Sequence, residues 1–216
     1  MIKRLVFILL IFMAGCINVN ESVVLRLNGS GSMHVAYSIP EALIKDPQLL
    51  RNAMAQTGIV FPLTADELKK EFAGLRGVTV NSTKTSIKKG YYVVGGSVKF
   101  KNINNLATNN IKFVNHELNG NKELVIDLIN TMNRSQESKS PEPMMIYRGS
   151  LTNFRIMIDV SFPTNVISSN GKINNRDVTW DVPMNVFLKS KAMTMELKAV
   201  YSGHPTIFDR IRNFFR

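Results

Sequence analysis

The chain has 216 residues, of which 44% are hydrophobic and 20% charged. That balance is globular and excludes wholesale disorder and collagen-like repeats; the length suits one domain, or two at most (about 100–200 residues each). Lys and Arg number 27 against 16 Asp and Glu, giving +11, and a single cysteine excludes both an intrachain disulfide framework and a zinc site built from cysteines.

The amino terminus reads MIKRLVFILLIFMAGC. Lys3 and Arg4 form a short basic region. The apolar run 5–13 that follows is too short to span a bilayer, which takes about 20 residues. Small residues Ala14 and Gly15 come next, completing the layout of a secretory signal. Met13, Ala14, Gly15 and Cys16 resemble the lipobox of bacterial lipoproteins. The resemblance implies a signal peptide over 1–15, cleaved before Cys16. It also implies a diacylglycerol thioether on the Cys16 sulfur and an acyl chain such as palmitate on the freed amine. Two or more acyl chains make attachment durable, at roughly 0.8 kcal/mol per buried methylene. Loss of Lys3 and Arg4 with the signal takes the net charge from +11 to +9. In lipoproteins of diderm bacteria an Asp after the cysteine commonly means retention at the inner membrane. Ile17 stands there instead, so the implied location is the periplasmic face of the outer membrane. With a single membrane it is the outer face of the plasma membrane.

Residues 16–22 read as an acylated tether, and 23–205 as one α+β domain. Val23, Leu25 and Leu27 alternate with polar positions. Asn28-Gly29-Ser30-Gly31-Ser32 follows, then Met33, Val35, Tyr37 and Ile39 alternate again, which predicts a β-hairpin. Asp46-Pro47 opens a first helix and Gly58 stops it. Thr64-Ala65-Asp66-Glu67 is a capping box, with Leu63 and Leu68 at staple positions and Gly77 as the stop of a second helix. Strands then dominate. Tyr92, Val94, Val98 and Phe100 share a face, with Gly96 as a gap that suits a bulge. Asn119-Gly120 marks another hairpin. Phe154 to Phe162 alternates without a break, Val178, Trp180 and Val182 precede Pro183, and Met193 to Tyr201 makes a last strand. The expected fold is a mostly antiparallel curved sheet of about nine strands with two main helices after the first hairpin.

Residues 130–149 are polar and broken by Pro141 and Pro143; they end in Met144, Met145, Ile146 and Tyr147, and suit either an edge strand or a ligand lid. Residues 206–216, TIFDRIRNFFR, read as a short basic amphipathic C-terminal helix, packed on the domain or laid on an anionic membrane. Lys84, Lys88, Lys89, Lys99 and Lys101 cluster around one predicted hairpin.

No GxSxG, Walker A, GxGxxG or HExxH pattern is present, and His34, His116 and His204 are widely spaced. No catalytic, cofactor or metal-binding residue is therefore assigned, and a non-enzyme is expected. The export signal argues against nucleic acid as the partner of the basic surface. From Cys16 onward the layout resembles LppM-like lipoprotein domains, on the stretches VVLRLNGSGSMHVAYSIP (Val23 to Pro40) and VTWDVP (Val178 to Pro183). That resemblance implies a lipid-anchored envelope domain with a groove for lipids or glycolipids. It departs from the family in lacking a carboxyl-terminal transmembrane helix. The expectation is an envelope lipoprotein whose exported domain binds a lipid or other apolar ligand. The alternative is an accessory protein–protein interaction subunit of an envelope complex.

Overall fold

The chain enters its first strand five residues earlier than the hydrophobic alternation predicts. In the computed structural model, which describes residues 17–57, 60–108, 111–129, 154–183, 194–206 and 209, β1 spans Asn18–Leu25. Ile17, Val19, Glu21, Val23 and Leu25 all face the core. The stretch 18–22, expected as part of a tether, is therefore in the sheet. The polar residues Asn18, Asn20 and Ser22 occupy the solvent-side positions of the alternation, and Glu21 is a polar residue at one of its buried positions. The Arg155 N–H also donates to the Ile17 carbonyl at 3.1 Å, so order reaches the first described residue.

β2 (Gly31–Pro40) returns antiparallel to β1. Gly29 closes the turn at φ +79°. The Asn28 side-chain oxygen accepts from Ser30 N–H (3.1 Å) and Ser30 Oγ (2.7 Å). Three helices follow: α1 (Glu41–Ile44), α2 (Pro47–Thr57) and α3 (Ala65–Ala73). Asp46 Oδ1 accepts the Leu49 N–H at 3.0 Å, capping α2 one residue before Pro47. Thr64 Oγ1 accepts the Glu67 N–H at 3.1 Å, and Glu67 Oε2 accepts the Leu63 N–H at 2.8 Å. Leu63 and Leu68, the staple pair, are buried. Gly74, rather than Gly77, caps the end of α3, and Gly77 turns the chain into the next strand at φ +71°.

β3 (Val78–Lys88) and β4 (Tyr91–Phe100) form a long hairpin. Its register shifts between Val80 and Ser82, so the bulge lies on β3 at Asn81 and not at Gly96. Gly96 serves a different purpose. A Cβ there would stand 2.9 Å from Leu68 Cδ2 and 3.0 Å from the Ser82 carbonyl oxygen, so its absence lets α3 lie close on the hairpin. Leu68 is fully buried and has little room to give. Gly96→Ala is expected to destabilise the domain by about 1–3 kcal/mol through overpacking, read as a lower urea midpoint.

A 3₁₀ turn (Ile103–Asn105) leads to β5 (Ile111–Leu118) and β6 (Asn121–Ile129), joined by Asn119 (φ 50°) and Gly120 (φ 79°) in the left-handed conformation that the Asn-Gly pair predicts. β7 (Arg155–Ser161), β8 (Val166–Ser169), β9 (Lys172–Asn174), β10 (Asp177–Pro183) and β11 (Thr194–Tyr201) complete the described elements. They form two sheets instead of one. The order is β3-β4-β2-β1-β7-β10-β9 in the seven-stranded sheet and β5-β6-β11-β8 in the four-stranded sheet. The fold is α+β as expected, with eleven described strands instead of nine. One pairing, β1 with β7, is parallel. Turn chemistry cannot reveal it, because no short connection joins the two strands.

The sheets share one hydrophobic core with the helices. Asn170, in the turn between β8 and β9, stitches them together. Its side-chain oxygen accepts from Trp180 Nε1 on β10 and from the Lys198 N–H on β11, each at 2.8 Å, while its amide donates to the Glu196 carbonyl at 2.9 Å. Predicted segments 130–149 and 206–216 lie outside the described residues, apart from Thr206 and Asp209. Among the described residues no helix is long and apolar enough to cross a membrane.

Candidate functional site

The strand registers gather several chain ends at one end of the seven-stranded sheet. Asn18 at the start of β1 stands opposite Ser38 near the end of β2, and beside Arg155 at the start of β7. Pro40 pairs with Tyr91, and Tyr91 with Lys88. The N–H of Glu41 donates to the Gly90 carbonyl at 2.9 Å, which fixes the start of α1 against the β3–β4 turn. This end of the sheet is the one the chain enters from Ile17. Cys16 itself lies outside the described residues.

A cleft of about 390 Å³ opens here between α1, α2, the approach to α3 and the β3–β4 hairpin. Its apolar lining is Ile44, Pro47, Leu63, Ile87 and Tyr92, and its charged lining is Glu41, Lys45 and Arg51. Ile87 is 62% exposed, unusual for an isoleucine beside so many apolar neighbours. Arg51 Nη2 is 2.6 Å from Glu67 Oε1. Partial burial works against the Glu67 charge, but the Leu63 N–H and Arg51 outweigh it and hold the carboxyl below its ordinary value. Arg51 is thus engaged by Glu67, and Lys45 is the cation of this lining with no ion pair among the described residues.

A second hollow, about 500 Å³, lies on the sheet face turned away from the helices. It exists because that face carries small side chains where long ones are usual: Ser22, Ala36, Gly95, Ser97, Ser82 and Ser86. Lys84 and Lys88 stand on its β3 side and Asp159 on its β7 side, with His34 between. Ser82 and Ser97 share a 2.9 Å hydroxyl hydrogen bond. This hollow is lined mainly by serines, glycines and charged side chains, whereas the smaller cleft presents the larger apolar side chains.

The third feature is inside the core. Glu21 is 3% exposed on the central strand β1, with Val35 on one side and Ile158 on the other. Burial, and then the nearby Glu71 of α3, push its carboxyl up to about 8. Burial alone pushes Glu71 up to about 7. Neither Oε2 atom has a hydrogen-bond partner. Tyr37 completes the cluster, its hydroxyl raised well above the ordinary value by burial and by both carboxyls. Tyr37 also begins an aromatic stack that continues through Phe61 to Phe154, with 6.0 Å between successive rings. Sequence reasoning missed Glu21 because it sits among polar residues. The signal was its parity: it shares the odd-numbered face with Ile17, Val19 and Val23.

The histidines do not converge. His34 lines the outer hollow. His116 Nε2 lies 3.1 Å from Glu123 across the β5–β6 pair, a partner on the facing strand and not its neighbour Glu117. His204 follows β11, its N–H donating to Ser202 Oγ. Asp181 pairs with Arg155, and Asp159 accepts from Thr179 Oγ1. Of the five clustered lysines, Lys84 and Lys88 line the outer hollow. Lys99 and Lys101 lie at the far end of β4, away from the turn.

No protein-family model matches the chain, and no curated protein does. Among solved structures it is similar to the folded domain of the LppM protein of Mycobacterium tuberculosis, determined by NMR. The two are 16% identical over 88% of this chain and 91% of that one, with a TM-score of 0.49.

Proposed function

We propose that the protein is a bacterial envelope lipoprotein, held to the membrane by acyl chains on Cys16, whose exported domain takes up a lipid. The observation that carries the ligand part is the cleft at the end of the sheet that the chain enters from Ile17. It combines an apolar lining (Ile44, Pro47, Leu63, Ile87, Tyr92) with Lys45 as the cation for an anionic head group. Its volume of about 390 Å³ falls in the usual range for small-molecule sites, about 300–1,000 Å³. The anchor part is supported by the lipobox residues Met13 to Cys16.

Native mass spectrometry of the detergent-extracted protein tests the ligand. A bound lipid beyond the covalent acyl mass is expected, and a protein that carries the acyl mass alone sinks this part. Cys16→Ala tests the anchor. Incorporation of a fatty-acid probe is expected to vanish, with the protein released from membranes or held as uncleaved precursor; undiminished labelling refutes the anchor. A second reading, an accessory subunit of an envelope complex, is favoured by the outer edge of β3, which pairs with no described strand and suits strand addition by a partner. Mild crosslinking followed by purification separates the two, because an accessory subunit yields a stoichiometric protein adduct.

A further inference from the structure

Ile17 is fully buried and its carbonyl is tied to Arg155. Since one residue spans at most about 3.6 Å, an acyl anchor on Cys16 leaves the domain almost no slack. A domain so tightly held must rest a particular face on the bilayer, and the registers identify that face. Pro40, Tyr91 and Lys88 stand two residues beyond the level of Ser38, the partner of Asn18. The hairpin tip therefore projects about 7 Å past Asn18, toward the side from which the chain arrives. Sideways, β4 is two strands from β1 and β3 is three, or about 10–15 Å at the usual strand spacing.

The tip has the composition of a membrane interface. It reads Ile87-Lys88-Lys89-Gly90-Tyr91-Tyr92. Ile87 is exposed, and two tyrosines follow two exposed lysines. Tyrosine favours the head-group region, while lysine stems lie along apolar surface with their ammonium groups at the phosphates. Among the described residues neither Lys88 nor Lys89 has an ion pair. Of the acidic groups nearby, Asp46 caps α2 and Glu67 holds Arg51. Glu41 lies four residues before Lys45 on the same wall of the cleft.

The geometry points to the Ile87–Tyr92 hairpin tip, with Lys45 beside it, as the face that lies on an anionic lipid bilayer. This rests on the anchor reading and adds to it an orientation: the apolar cleft, which Ile87 and Tyr92 also line, opens at the membrane surface. A lipid then enters the cleft from the bilayer without crossing water.

Spin labelling of the mature acylated protein in phosphatidylcholine–phosphatidylglycerol vesicles tests this. The thioether blocks Cys16, so a cysteine introduced by Lys89→Cys, or by Lys101→Cys at the other end of β4, is the sole free thiol. At position 89 the label is expected to be more accessible to oxygen than to a water-soluble nickel complex, several-fold beyond the ratio at position 101. Adding Ile87→Asp and Lys88→Glu is expected to return position 89 to the pattern of position 101. A vesicle-bound protein whose label at 89 is as water-exposed as at 101 overturns the orientation and leaves the anchor standing. A protein that takes a second label at Cys16 and fails to float with vesicles overturns the anchor, and the orientation with it.

Discussion

Glu21→Gln is expected to make the protein more stable at about pH 8, by on the order of 10 °C in thermal midpoint, and to change little at about pH 4. Glu21 occupies a central strand position where its neighbours are Val35 and Ile158, and its Oε2 has no hydrogen-bond partner. Burial first, and Glu71 second, raise its carboxyl to about 8 from an ordinary 4.5. A carboxyl raised in this way binds its proton more tightly in the folded chain than in the unfolded one. Its contribution to stability is fully present below about 4.5 and is lost as pH climbs toward 8, at about 1.4 kcal/mol per pH unit. Glu71, raised to about 7 and less deeply buried, adds to the same loss over a narrower window. The amide of Gln matches the shape of the protonated acid and cannot ionise, so the variant escapes the loss. Thermal melts from pH 4 to pH 8 check this. A wild-type profile that is flat across that window, or a variant less stable at pH 8, shows that the ionised carboxylate is stabilised in the core and overturns the reading.

The same residue shows where the sequence stops being legible. Local chemistry was readable: Thr64 and Glu67 cap α3 as their spacing implies, and Asn119-Gly120 turns β5 into β6 through two left-handed residues. These features are set by residues within four positions of each other. Pairing over long sequence distances was not readable. β7 lies parallel beside β1, and β11 inserts between β6 and β8, yet the strands themselves carry the same alternation whichever neighbour they take. The start of β1 was lost for a related reason. Glu21 lies among polar residues that read as a tether, although its odd-numbered position matches the buried face. As for the candidate cleft, Ile44, Leu63, Ile87 and Tyr92 come from four separate segments. Ile87 and Tyr92 are register partners across the β3–β4 hairpin, and the bond from the Glu41 N–H to Gly90 fastens α1, with Ile44, beside them.

The second large effect concerns the end of the described chain. Asp209→Ala is expected to cost about 3–5 kcal/mol, because it removes one partner of a buried ion pair. Arg176 is 7% exposed and Asp209 6%. The Arg176 guanidinium donates to the Pro163 carbonyl at 2.8 Å and to Asp209 Oδ1 at 2.5 Å. Asp209 Oδ2 accepts from the Thr206 N–H and hydroxyl, each at 2.8 Å, and Thr206 Oγ1 accepts the Asp209 N–H at 3.2 Å. That reciprocal pattern is a capping box, the arrangement that opens a helix. In the stretch 206–216 the aromatic residues draw attention as the contact surface, yet an acidic residue makes the buried connection to the domain. The pair's worth is a separate quantity from the cost of breaking it, since both charges were stripped of water to form it. The double variant Arg176→Met with Asp209→Leu is therefore expected to recover most of the loss. Urea unfolding of the two single variants and the double closes a thermodynamic cycle. Asp209→Ala falling within about 0.5 kcal/mol of wild type, the span typical of a surface substitution, shows that water reaches Arg176 and overturns the reading.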